Sequence, residues 1–131
     1  MKKEKSCGVI IINENKILVV KQKSGFYGFP KGHIEKNETE KITAIREVKE
    51  ETNIDIEIDD NLRFSIFYLV NGNINKEVVY FVGYPKNTNI KIQEQELESA
   101  QWIELQKVEE ILTFDNLKEL WRKVLKEISK K

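Results

Sequence analysis

Three glutamates, Glu47, Glu50 and Glu51, fall at spacings of i, i+3 and i+4 inside the stretch GHIEKNETEKITAIREVKEETNI. At about 100° per residue these spacings place all three carboxylates on one face of a helix. Ile42, Ile45 and Val48 fall on the opposite face. Like charges so placed destabilise a helix by about 0.2–0.5 kcal/mol per pair. Arg46 and Lys49 are expected to point away from the cluster and leave it unneutralised. Carboxylates left in that state suit a hard divalent cation, and Mg²⁺ favours oxygen ligands of this kind. The plain alternative is a solvated acidic face, and the residues around the cluster decide against it.

Gly32 is followed at fixed spacing by Glu38, then by Arg46-Glu47-Val48-Lys49-Glu50-Glu51-Thr52-Asn53-Ile54. This pattern, residues 32–54, resembles the Nudix box, the signature of the Nudix hydrolases. In that family a glycine, a glutamate, an Arg-Glu pair, an apolar residue, a Glu-Glu pair, a second glycine and a final apolar residue hold these positions. Every position matches except the second glycine, which is Asn53 here. Asn53 follows the last helical turn, where the chain commonly turns left-handed. Asn is the usual substitute for Gly there, because its short polar side chain tolerates positive φ. The departure therefore leaves the expected fold and metal site intact.

The other box residues have local roles. Asn37 is expected to cap the helix, with Glu40 three residues on completing a variant capping box. Gly32 lets a tight loop bring backbone close to a ligand, and Pro30 stiffens the approach. Arg46 reads as structural, its guanidinium fork holding a carboxylate in a fixed orientation; the family resemblance implies the same. Glu38 lies about half a turn from the cluster and is assigned a structural role between loop and helix.

A chain of 131 residues is read as one domain, residues 1–131, large enough for a real core. The 22 acidic and 22 basic residues balance, which argues against a generic polyanion binder. No DNA or membrane partner is expected. A single cysteine, Cys7, excludes an intramolecular disulfide and reads as a buried inert thiol. A single His33 cannot build a His-based metal site. After the basic start Met1-Lys2-Lys3-Glu4-Lys5, the apolar run Val9 to Ile12 is too short for a signal peptide or membrane span, so the expected compartment is the cytoplasm.

Periodicity orders the elements. Residues 6–12 and 16–23 form a hairpin, 24–36 a loop, 38–52 the box helix and 54–58 a short strand. Residues 62–70 and 77–84 form a second hairpin around Asn71-Gly72-Asn73, and 99–104 another strand. Two helices close the chain, 107–112 and 115–129. A sheet with helices at separate places is an α/β sandwich. The resemblance implies its specific form, a Nudix-type α/β/α sandwich with a mixed central sheet.

The flanks bear on the substrate. Phe29-Pro30-Lys31-Gly32-His33 looks like the PKGH entry to the box in one branch of the family, the asymmetric diadenosine tetraphosphate hydrolases. Lys76-x-Val78-x-Tyr80-Phe81 is similar to a strand of that branch, in which the lysine contacts phosphate and the tyrosine stacks on adenine. Glu96 matches a loop glutamate that approaches the metals, and Leu112-Thr113-Phe114 also looks like this branch. Tyr27 and Phe29 are candidates for a base sandwich, and His33 for a phosphate or leaving-group contact.

The resemblance implies metal-assisted attack of water on a bridging polyphosphate, giving ATP and AMP. Mg²⁺, with Mn²⁺ as the alternative, would be held by Glu47, Glu50, Glu51, Glu96 and the carbonyl of Lys31. Catalytic roles fall to Glu47, Glu96 and Glu50, with Glu47 or Glu96 as the base. Lys31, Lys76 and His33 would offset phosphate charge. The rivals are another Nudix pyrophosphohydrolase acting on RNA 5′ ends or on the nucleotide pool, and a non-catalytic nucleotide-binding Nudix module.

Overall fold

The strand Lys2–Asn13 (β1) alternates in what it touches, and this alternation builds the molecule. Cys7, Val9 and Ile11 pack in one core with Ala44, Val48, Ile54, Val79 and Phe81. Ile10, one step out of phase, packs in a second core with Val78, Tyr80, Leu117, Leu120 and Trp121. Each side of the sheet therefore carries its own helix. The structure is a computed structural model and describes residues 2–130; Met1 and Lys131, the ends of the single-domain reading, lie outside the described residues.

Along the chain follow Lys16–Gln22 (β2), Tyr27–Gly28 (β3), Lys31–His33 (β4), the helix Glu40–Thr52 (α1), Ile56–Val70 (β5), Ile74–Pro85 (β6) and Leu97–Glu104 (β7). A 3₁₀ turn at Leu105–Lys107 leads into the short helix Val108–Ile111 (α2) and then Asp115–Ile128 (α3). The sheet runs β3-β2-β1-β6-β5, with β4 added to β1 and β7 to β2. The β1–β6 pair is parallel and the others are antiparallel, so the sheet is mixed. This is the expected α/β/α sandwich. Among the described residues no helix is long and apolar enough to cross a membrane.

Several element boundaries differ from expectation. The expected strands 54–58 and 62–70 are one bent strand, Ile56–Val70, with an irregularity between Asp59 and Arg63 where the pairing with β6 shifts. The loop 24–36 contains the two short strands β3 and β4, because Lys31–His33 pairs with Ser6–Gly8 of β1. That pairing is what brings the box entry onto the sheet. Cys7 is buried and free, and burial pushes its thiol up to about 11, as an inert cysteine requires.

The buried face of α1 is not the stripe of Ile42 and Ile45. Thr43, Ala44, Val48, Glu51 and Thr52 are buried, whereas Ile42 is 53% and Ile45 41% exposed. Small residues at 43 and 44 let the helix sit close to β1, and the carboxylate of Glu51 goes inward with them.

Candidate active site

Helix α1 starts at Glu40, not at 38 as the sequence suggests. Thr39 is the N-cap, its side chain accepting a hydrogen bond from Ile42 N at 3.1 Å. Asn37 does not cap; it adopts φ 70° in the preceding turn. Glu40 closes no capping box and instead pairs with Arg63 and Lys5. Both 37 and 39 are cap-forming types, and the left-handed turn at Asn37 decides between them. At the other end Asn53 has φ 65° and ψ 15°, and its N–H donates to Lys49 O at 2.9 Å. This is the left-handed ending expected of it.

Capping by Thr39 leaves Glu38 free to act as a clamp. Its carboxylate accepts from Glu35 N at 3.1 Å, Thr43 Oγ1 at 2.7 Å and two nitrogens of Arg46 at 2.7 and 2.9 Å. The Arg46 guanidinium, followed by Thr43, holds this carboxyl well below the usual range, at about 2. Arg46 Nη1 also reaches Glu47 Oε1 at 3.0 Å and Glu50 Oε2 at 3.2 Å, and Nη2 donates to the carbonyl of His33 at 3.1 Å. The expectation that Arg46 points away from the cluster is therefore corrected. The Cα–Cβ direction sets only where a side chain starts, and a flexible stem carries the guanidinium round to its neighbours. Lys49 does turn away, to Asp55 at 3.1 Å.

The three glutamates share a face but not an environment. Glu50 is exposed, Glu47 is partly buried and Glu51 is 5% exposed. Burial, and then the neighbouring Glu47 with which it shares a hydrogen bond, push the Glu51 carboxyl up to about 8. Burial also raises Glu47, against the pull of Arg46. Gly32 makes room for this pair: a Cβ at that position would fall on the Glu47 carboxylate. The segment after β6 is tied to the end of α1 by Gln93 N donating to Glu51 O at 2.9 Å, and to the residue after β2 by Lys23 N donating to Glu96 O at 3.0 Å. These bonds bring Glu96 to the cluster. Glu47, Glu50, Glu51 and Glu96 line one cavity of about 510 Å³ with Ser6, Phe29, Lys31, Gly32, His33 and Gln93.

The donor set fits a hard divalent cation. It is all oxygen, it is carboxylate-rich, and the cavity holds two carboxyls whose ionisation burial suppresses, with Glu47 adding to the effect on Glu51 and Glu50 to that on Glu47. Among the described residues no three such side chains already form a ready metal-holding group. Glu50 is drawn to Arg46, and Glu47 is held between Arg46 and Glu51.

The substrate-side residues divide. Lys31 faces the carboxylate cavity, and burial, then the nearby Lys76, lower its ammonium below the ordinary lysine range. Lys76 is itself buried on β6. His33 is exposed, with its ring 3.6 Å from Glu4. Tyr80 is 1% exposed, packed edge-on against Phe29 at 5.7 Å, and it shows only a margin to the apolar cavity beside the carboxylates. Phe29 is buried too and also meets Trp121 at 6.3 Å. Both rings are packed into the core, and both also border the apolar cavity. Tyr27 lies off the walls of both cavities, with Lys21 Nζ 5.4 Å from its ring centre, and does not join Phe29 in a sandwich.

The apolar cavity of about 320 Å³ is lined by Phe29, Lys31 and Tyr80 together with residues to which the sequence assigned no site role, Tyr68, Phe114 and Asn116. Phe114 is 45% exposed and packs on Phe26 at 4.8 Å. Hydrogen bonds between Tyr27 and Thr113, 2.8 and 3.3 Å, bring it there across most of the chain. The signal for Tyr68 was its alternation with Ile66, which puts it opposite Lys76 in the β5–β6 register. The carboxylate and aromatic cavities meet at Gln22, Phe29 and Lys31.

A seven-stranded mixed sheet with β4 paired to β1, the box helix packed on one face and its glutamates lining a cavity, is the arrangement of a Nudix domain. A family profile for the NUDIX domain matches residues 2–126, and the chain belongs to the Nudix family. It is 38% identical to Nudix hydrolase 2 of Arabidopsis thaliana over 105 residues, which are 73% of this chain and 37% of that protein. It is 27% identical over 130 residues to the asymmetrical bis(5′-nucleosyl)-tetraphosphatase of Mus musculus, covering 87% of this chain and 88% of the relative. A 33% match over 120 residues joins it to the mRNA-decapping enzyme subunit 2 of Saccharomyces cerevisiae, of which it spans 12%. The solved structure of a C. elegans Ap4A hydrolase binary complex superposes with a TM-score of 0.87 at 25% identity, over 98% of this chain and 99% of that one.

Proposed function

We propose that this chain is a divalent-metal-dependent hydrolase of nucleoside polyphosphates, acting in the cytoplasm, and that its substrate is diadenosine tetraphosphate, cleaved asymmetrically to ATP and AMP. The observation that carries this reading is the meeting of a carboxylate-lined cavity and an aromatic cavity along Phe29–Lys31. One suits phosphates with a cation and the other suits a base. Support for the branch comes from the near-complete mutual coverage with the mouse tetraphosphatase and the C. elegans Ap4A hydrolase.

Glu47, Glu50, Glu51, Glu96 and the Lys31 carbonyl would hold Mg²⁺ or Mn²⁺. A cation bound there supplies charge neutralisation at phosphate oxygens and acidifies water. Arg46 and Glu38 orient the box carboxylates. Glu47 or Glu96 takes the proton of the attacking water; both are carboxylates on the cavity wall. Lys31 and Lys76 bind and orient the phosphate chain as point charges. The aromatic cavity, with Phe114 and Tyr68 on its walls, holds one adenosine, which fixes how far along the chain the reactive bridge lies.

A second reading, action at an RNA 5′ end, is favoured by the match to the yeast decapping subunit. The test is a panel of diadenosine tetraphosphate, nucleoside triphosphates, triphosphorylated RNA and capped RNA with Mg²⁺. The proposal expects the highest kcat/KM for diadenosine tetraphosphate. A higher value for either RNA contradicts it.

A further inference from the structure

Ser6 is 0% exposed, and its hydroxyl makes no hydrogen bond. Among the described residues Asn87 Oδ1 is the other buried side-chain atom in this condition, but Asn87 bonds Asp55 through its amide nitrogen at 3.1 Å. A fold does not keep a buried hydroxyl unpaired without cost, so each such group calls for a partner.

The place of Ser6 says which partner. It lines the carboxylate cavity. On β1 it stands opposite His33 of β4 on one side and Val78 of β6 on the other. Alternation puts Glu4, Ser6 and Gly8 on one face. Lys76 is the β6 partner of Glu4, and Lys31 is the β4 partner of Gly8. Ser6 therefore lies on the diagonal between the two lysines, within reach of groups that bridge them. The lysines are close enough to oppose each other's charge. Two cations with a free hydroxyl between them present donors and call for an anion rich in acceptor oxygens.

We propose that Ser6 is a phosphate-binding residue, its Oγ–H donating to a non-bridging oxygen of a polyphosphate chain that spans Lys31 and Lys76. The inference rests on the nucleoside-polyphosphate reading above and adds to it a residue on β1, outside the box. The competing account is a water molecule enclosed beside the hydroxyl.

The experiment is titration calorimetry of inorganic tripolyphosphate against the wild type and Ser6→Ala in EDTA, with thermal unfolding of both in parallel. The wild type is expected to bind, and Ser6→Ala to bind about tenfold more weakly, the loss of one hydrogen bond to a charged oxygen. Its Tm should be equal or higher, because an unpaired buried hydroxyl has been removed. Ser6→Cys, close in size with a weak donor, should bind as the alanine variant does. Equal affinities, or no binding by the wild type, overturn the proposal. A fall in Tm for Ser6→Ala also overturns it, since the hydroxyl would then already be bonded inside the fold. Failure of the wild type to hydrolyse any nucleotide would instead count against the functional reading, because this comparison involves no turnover.

Discussion

Gly32 lies against the Glu47 carboxylate so closely that any side chain at 32 would displace it. The atoms in the way are the end of a flexible side chain, so the fold can yield while the site cannot. Gly32→Ala is expected to cost about 1 kcal/mol of stability, the low end for a small-to-large change. Metal affinity and kcat should each fall at least about tenfold as Glu47 loses its position. Calorimetric Mn²⁺ binding and thermal unfolding on the same sample check this. Unchanged metal affinity would remove Glu47 from the metal set.

Arg46 connects the loop and the cluster through Glu38, Glu47, Glu50 and the His33 carbonyl. A lysine offers charge without the planar fork. Arg46→Lys should therefore lower stability by about 1–2 kcal/mol and reduce kcat, although net charge is unchanged. Denaturant unfolding and steady-state kinetics measure the two effects. Full activity in Arg46→Lys would show that the fork is not needed.

At Asn53 the backbone is left-handed, φ 65°. Asn53→Gly is expected to be neutral or to stabilise by up to about 1 kcal/mol. Asn53→Val should destabilise by more, because a β-branched residue resists positive φ. Melting temperatures of the two variants decide; equal values would contradict the cap.

What the sequence made legible follows from how local each feature is. The box helix, its carboxylate face and the Asn53 ending depend on spacing and on one backbone angle, and all three stand in the structure. Ile42 and Ile45 are exposed because the helix packs by its small residues Thr43 and Ala44, and periodicity does not say which of two adjacent stripes will be pressed on the sheet. Tyr80 illustrates the same limit on a strand: alternation separates two faces without saying that both are buried. The role of Phe114 depends on Tyr27 and Thr113 meeting across the fold, and no spacing encodes that.

The suppressed ionisation of Glu51 predicts the pH dependence of the metal-free protein. Its folded value, about 8, exceeds the ordinary carboxylate value. Between those two values the folded chain keeps a proton that the unfolded chain has released. This contribution to stability is fully present below the ordinary carboxylate range and is lost as pH rises through about 8. Metal must displace the same proton, so metal affinity should rise over that interval. Thermal unfolding in EDTA across the interval checks the first effect, and Glu51→Gln should flatten it. Glu51→Gln should also lower kcat at least about a hundredfold through loss of a ligand. A Glu51→Gln profile identical to that of the wild type would contradict the assignment.

The most direct test of the central claim is the identity of the products formed from diadenosine tetraphosphate and Mg²⁺, separated by chromatography at early conversion. One adenosine held in the aromatic cavity and a cation held by the box glutamates would select a single bridge, so the proposed function predicts ATP and AMP in equal amounts, with EDTA abolishing both. Two molecules of ADP as the main product, or turnover that persists in EDTA, would contradict it.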